Sequence, residues 1–153
     1  MTDYRELGIT EVKNRIIRDK DVLGVNSIWR NSNSPIDKLE LNAIYIIEGK
    51  DIITEHASRS FLGYPARRML ELEIEMIAKN DRDGKAIKTL YQLTRKAILC
   101  DLVDDVYVPN PVVAENTIIR ELRTYGPNLY QVPELIGIKM ILSLLYMDEF
   151  NLN

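Results

Sequence analysis

From Leu70 to Ala78 the chain alternates apolar and acidic residues. Leu70, Leu72, Ile74, Met76 and Ala78 fall on one side of a two-residue period, and Glu71, Glu73 and Glu75 on the other. As a helix the same glutamates would spread over about 400° of rotation and break the apolar stripe, so the pattern predicts a strand over Ala66–Lys79 against the helical bias of Leu, Glu and Met. Two other segments carry a helical period. Ile9, Val12, Ile16 and Leu23 recur among charged residues before Gly24, with Asp3 or Thr10 as alternative caps. Ala86 to about Val103 places Ala86, Leu90, Leu93, Ala97 and Cys100 on one stripe, with Ile87 and Ile98 beside it.

The remaining segments predict strands and turns. "VNSIWRN" reads as a short strand closed by "NSNSP", and "KLELNAIYIIEGKDIITEH" reads as a hairpin turning at Glu48-Gly49-Lys50-Asp51. Within it Leu39, Leu41, Ala43, Tyr45 and Ile47 share one face while Ile44 and Ile46 add apolar groups to the other. "NDRDG" reads as a turn, "VPNPVVAEN" as irregular, and "TIIRELRTY" as a strand ending at Gly126-Pro127. Ile136, Ile138, Met140, Leu142, Leu144 and Tyr146 give the last run a wholly apolar face, read as a strand with a helix as the alternative. The order helix, strands, helix, strands predicts an α+β fold, a mainly antiparallel β-sheet with two α-helices packed on one face. Its other face is left to water or to a partner.

Composition changes this picture little. A chain of 153 residues, 46% hydrophobic and 28% charged, predicts one folded domain over residues 1–153. The net charge of -3, with scattered cations, shows no footprint for wrapping nucleic acid. "MTDYRELGIT" lacks the basic and apolar regions of a secretory signal, and "LIGIKMILSLLYM" is too short and interrupted for a membrane span. One cysteine, Cys100, removes an intramolecular disulfide and fits a reducing compartment.

Candidate chemistry centres on Glu71, Glu73 and Glu75, since carboxylates bind divalent metals and work as acid and base. Alternate strand residues stand about 6.6 Å apart, so sharing a metal needs ligands from elsewhere, and no companion motif follows. His56, in "EHASRS", reads as a loop residue, and Cys100 as a buried thiol without an activating base. "DRDGK" fails the calcium-loop register, because Lys79 and Leu90 fall where carboxylates are needed, and Gly84-Lys85 lacks the rest of a phosphate loop. The expectation is no catalysis, no metal and no cofactor. Asp101, Asp104 and Asp105 crowd the predicted end of the second helix, where the macrodipole disfavours them by about 0.3–1 kcal/mol each. A contact with a basic patch such as Arg67 and Arg68 on another subunit would offset that cost.

The run "SFLGYPARRMLELEIEMIAKN", preceded by "LNAIYIIEGKDIITEH" and followed by a long helix with acidic "DLVDD", resembles the tail terminator (tail completion) proteins of tailed bacteriophages. The likeness extends over roughly Leu7 to Met147 as an order of elements. It implies a small α+β virion subunit, made in the host cytoplasm, without enzymatic activity. Such a subunit forms a six-fold homohexameric ring on the tail tube protein, stops tube polymerisation and offers the surface that joins head-tail connector proteins. DNA would meet it only in passing through the lumen, and no membrane is involved. The family has no short signature to carry over residue by residue. Interface or lumen roles for Arg67, Arg68, Glu71, Glu73, Glu75, Asp104 and Asp105 therefore rest on charge placement. Another neck or connector component is the nearest alternative, and a small metal-dependent hydrolase or nuclease using the three glutamates is the alternative from a different class.

Overall fold

The computed structural model describes residues 2–31, 42–56 and 66–148. Helix α1 (Tyr4–Arg18) starts at the earlier of the two caps: the Asp3 carboxylate accepts from the Glu6 N–H at 3.0 Å. Its inner stripe, Ile9, Val12 and Ile16, is fully buried. Leu23 does not belong to the same helix. Asp19 interrupts it, its carboxylate held by Arg18 and by the Tyr107 hydroxyl, each at 3.0 Å, and a short α2 (Lys20–Leu23) follows. Gly24 ends α2 in the left-handed region at φ 63°.

The main sheet has the order β1-β2-β3-β8-β7-β6. Strand β1 (Ser27–Arg30) runs parallel to β2 (Ala43–His56), and the other pairs are antiparallel. At the centre, β3 (Ala66–Lys79) pairs with β8 (Leu135–Asp148) without a break, from Ala66 opposite Asp148 to Lys79 opposite Leu135. Strands β6 (Val112–Ala114) and β7 (Thr117–Leu129) complete it. The period-two reading of β3 holds. Leu70, Leu72, Ile74, Met76 and Ala78 form one core with Ile9, Val12 and Ile16 of α1 and with Ile87, Leu90 and Ile98 of α3 (Lys85–Leu99). Both long helices therefore lie on one sheet face, the predicted α+β arrangement. The even-numbered apolar residues of β8 join that core, which makes the last run a strand.

Several expectations are corrected. Glu48–Asp51 is not a hairpin turn: β2 runs on through it, with a register shift between Glu48 and Asp51. β3 offers a partner long enough for the whole of β2, so the extra residues bulge. A β-carbon at Gly49 would stand 2.9 Å from the Glu71 carbonyl oxygen, so the bulge needs glycine there. Leu39, Leu41 and most of "NSNSP" lie outside the described residues, whereas His56 ends β2 and is not in a loop.

The second long helix stops at Leu99, short of Val103. Its buried residues are Ile87, Leu90, Thr94, Ala97 and Ile98, while Ala86 is exposed and Cys100, half-buried, already has extended backbone. Part of "VPNPVVAEN" is ordered as strand. β4 (Cys100–Val103) pairs with β5 (Val106–Pro109) as a separate two-stranded sheet, and β6 follows. β7 also continues beyond its predicted end, through a cis Gly126–Pro127 bond and a register shift, because β8 still offers Gly137 and Ile136 as partners.

Candidate assembly surfaces

The three glutamates stand on the sheet face away from the long helices, each half-buried. Strand pairing gives two of them cationic neighbours. Glu75 lies opposite Lys139, whose Nζ is 3.4 Å from Oε2, and the Arg123 guanidinium reaches Glu71 at 3.2 Å. Among the described residues no group of three or more His, Cys, Asp or Glu is placed to hold a metal ion. The alternation of β8 carries the signal for Lys139. That of β7 hides Arg123, because a register shift between Glu121 and Arg123 changes which residues share its face.

This outer face is not uniformly bare. At one end Ala43, Tyr45, Ile77 and Leu135 form a small second core, packed against by Trp29, Ile47 and Tyr130. Tyr130 lies on Gly137, and burial, helped by Glu75, raises its phenol above the usual tyrosine range. At the other end Thr54, Arg67, Asn116, Ile118, Leu145, Tyr146 and Met147 line a recess of about 300 Å³.

Adjacent residues of a strand point to opposite faces, and this separates Arg67 from Arg68. Arg67 is exposed at the rim of the outer recess. Arg68 lies on the helix side, 3.2 Å from Asp51 and 3.6 Å from Asp148. Asp51 also accepts from Arg5 at 3.1 Å and from the Tyr146 hydroxyl. Burial, with that hydrogen bond second, raises the Tyr146 phenol.

Asp104 and Asp105 are not at a helix end. They form the tip of the β4–β5 hairpin, both exposed and both at positive φ, 49° and 61°, a backbone that two-residue hairpin turns require and Asp tolerates better than most residues. The macrodipole argument therefore does not apply to them. The hairpin is anchored at its root. Arg18 donates to the carbonyls of Cys100 and Ala97, Arg15 to those of Ile98 and Asn110, and the Tyr107 ring lies under Lys96, whose Nζ is 4.4 Å from its centroid.

Solved structures share this architecture. A chain titled "Virion of native gene transfer agent (GTA) particle" is similar over 89% of this chain and 91% of its own length, with a TM-score of 0.52 and 14% sequence identity. At that identity the likeness establishes the fold. No protein-family model and no curated protein matches the sequence. Among the described residues no helix is long and apolar enough to cross a membrane.

Proposed function

We propose that this chain is a structural virion protein that closes the end of a phage-type tail tube as a ring, terminates tube polymerisation and presents the surface to which the head is joined. The observation that carries this reading is the division of the sheet. Both long helices cover one face, and the other presents charge, an apolar recess and a basic rim at Arg67. A surface of that kind suits a neighbouring subunit better than a small substrate. Two further facts support it: the fold is shared, over nearly the whole length of both chains, with a protein from a virion particle, and the order of sequence elements resembles the tail terminators.

Ring closure needs two different patches of one subunit to meet. The exposed Arg67 and the hairpin tip at Asp104 and Asp105 supply opposite charges on separate parts of the molecule. Arg68 acts behind them by holding β3 to Asp51 and Asp148. Glu71, Glu73 and Glu75 lie on the outer face; Arg123 and Lys139 offset two of these charges, and Glu73 would turn the third toward a lumen, where negative charge limits sticking of DNA. The test is tail morphology in particles assembled without the chain. Termination predicts tails of irregular length that fail to join heads, and uniform tails that still join heads would overturn it.

A further inference from the structure

The β4–β5 hairpin has two unlike faces. Cys100, Leu102, Tyr107 and Pro109 lie on one, where Tyr107 is fixed to the body of the protein through Asp19, Arg18 and Lys96. Asp101, Val103, Val106 and Val108 lie on the other. Val103 is 53% exposed, Val106 60% and Val108 43%, a cluster of branched apolar side chains on a rigidly rooted arm. A two-stranded sheet is marginal by itself in water, and an uncovered valine face makes it more so.

We infer that this valine face and its acidic tip seat in the outer-sheet recess of a second copy of the chain, against Ile118, Leu145 and Met147, with Asp104 and Asp105 meeting the basic rim. The occupant is argued from complementarity. Ile118, Leu145 and Met147 give the recess an apolar lining, which it shares with the exposed Arg67. Arg120, two residues along β7 from Ile118, is exposed and has no ion pair among the described residues. The hairpin springs from the helix layer at the end of α3, whereas the recess lies on the opposite sheet face. Donor and acceptor patches are therefore different surfaces, and the contact is heterologous: each copy gives one arm and receives one. One arm is small beside a standard interface of about 800 Å² per partner. The contact is accordingly weak in an isolated pair and becomes stable when a ring closes. This contact rests on the ring reading and gives it a residue-level interface.

The test is disulfide capture in a Cys100→Ser background. Val106→Cys and Ile118→Cys chains, prepared separately, should form a linked pair under mild oxidation when mixed and little when alone; a chain carrying both substitutions should give a ladder of linked multimers. Val106→Cys linking to itself as readily as to Ile118→Cys would overturn the proposal, as would no link in the mixture. Negative-stain imaging of the unsubstituted protein, alone and on tube ends, separates the two levels. Rings without the link remove the arm contact alone, whereas neither rings nor link removes the ring reading as well. As a second variant, Val103→Ser/Val106→Ser/Val108→Ser keeps the Tyr107 anchor and should melt like the parent while losing assembly. Unchanged assembly in a folded triple variant would also overturn the inference.

Discussion

Arg15 and Asp101 form an ion pair at 3.0 Å that joins the inner face of α1 to the root of the β4–β5 hairpin. The two ends differ in environment: the Arg15 side chain is 3% exposed and that of Asp101 41%. Arg15 also donates to the Ile98 and Asn110 carbonyls at 2.8 Å each, so a buried guanidinium satisfies the backbone where α3 gives way to β4. Replacing Arg15 with Met keeps the apolar stem and removes every donor. The Ile98 carbonyl, buried, would lose its partner, at a cost of about 1–3 kcal/mol. Urea unfolding should show that loss, and amide exchange should quicken in Cys100–Pro109 before the rest of the sheet.

The two sides of β3 should respond unequally. Ile74 is fully buried between the sheet and the helices, so Ile74→Ala should destabilise by about 2–5 kcal/mol. Glu73→Ala, on the outer face, should change monomer stability by no more than about 0.5 kcal/mol. Equal losses in denaturant melts would contradict the assignment of faces.

Gly137 should be intolerant of a larger side chain. A β-carbon there would collide with the Tyr130 hydroxyl oxygen and stand 2.7 Å from its ring, so valine must drive Tyr130 off the strand. Uncovering the second core around Tyr45, Ile77 and Leu135 should cost about 1–3 kcal/mol, the usual scale of overpacking. A melt of Gly137→Val indistinguishable from the parent would refute the contact.

Alkaline stability follows from the tyrosines. Burial raises Tyr130, with Glu75 adding to it, and raises Tyr146, with Asp51 adding to it. A folded pKa above the unfolded value means that the folded state holds its proton more tightly. The stabilisation is complete below the unfolded value of about 10 and is lost as pH rises through the folded values. The Tyr130 and Tyr146 phenols should therefore ionise above the usual tyrosine range, their phenolate absorbance appearing together with loss of structure. Tyr146→Phe should remove one late proton and leave Asp51 with Arg5 and Arg68.

By itself the sequence determined where apolar faces recur. Period two in 70–78 and 136–146, and period 3.6 in 9–16, are local properties of the chain, and each gave the right element because burial on one face admits only one register. It also put Glu71, Glu73 and Glu75 on the side of β3 opposite the core residues, where they stand. Tertiary structure alone decided where elements stop and which charges meet. "EGKD" has the composition of a turn, yet β2 passes through it as a bulge because β3 supplies an unbroken partner. The residues "CDLV" fit a helix by pattern, yet they pair with "VYVP", since Arg15 and Arg18 from α1 cap the carbonyls at the helix end. Arg67 and Arg68, one patch on paper, face opposite ways, because a strand reverses direction at each residue and only the helix side offers Arg68 the carboxylates of Asp51 and Asp148. Such pairings join residues far apart in sequence, and no local pattern encodes which partners folding brings within reach.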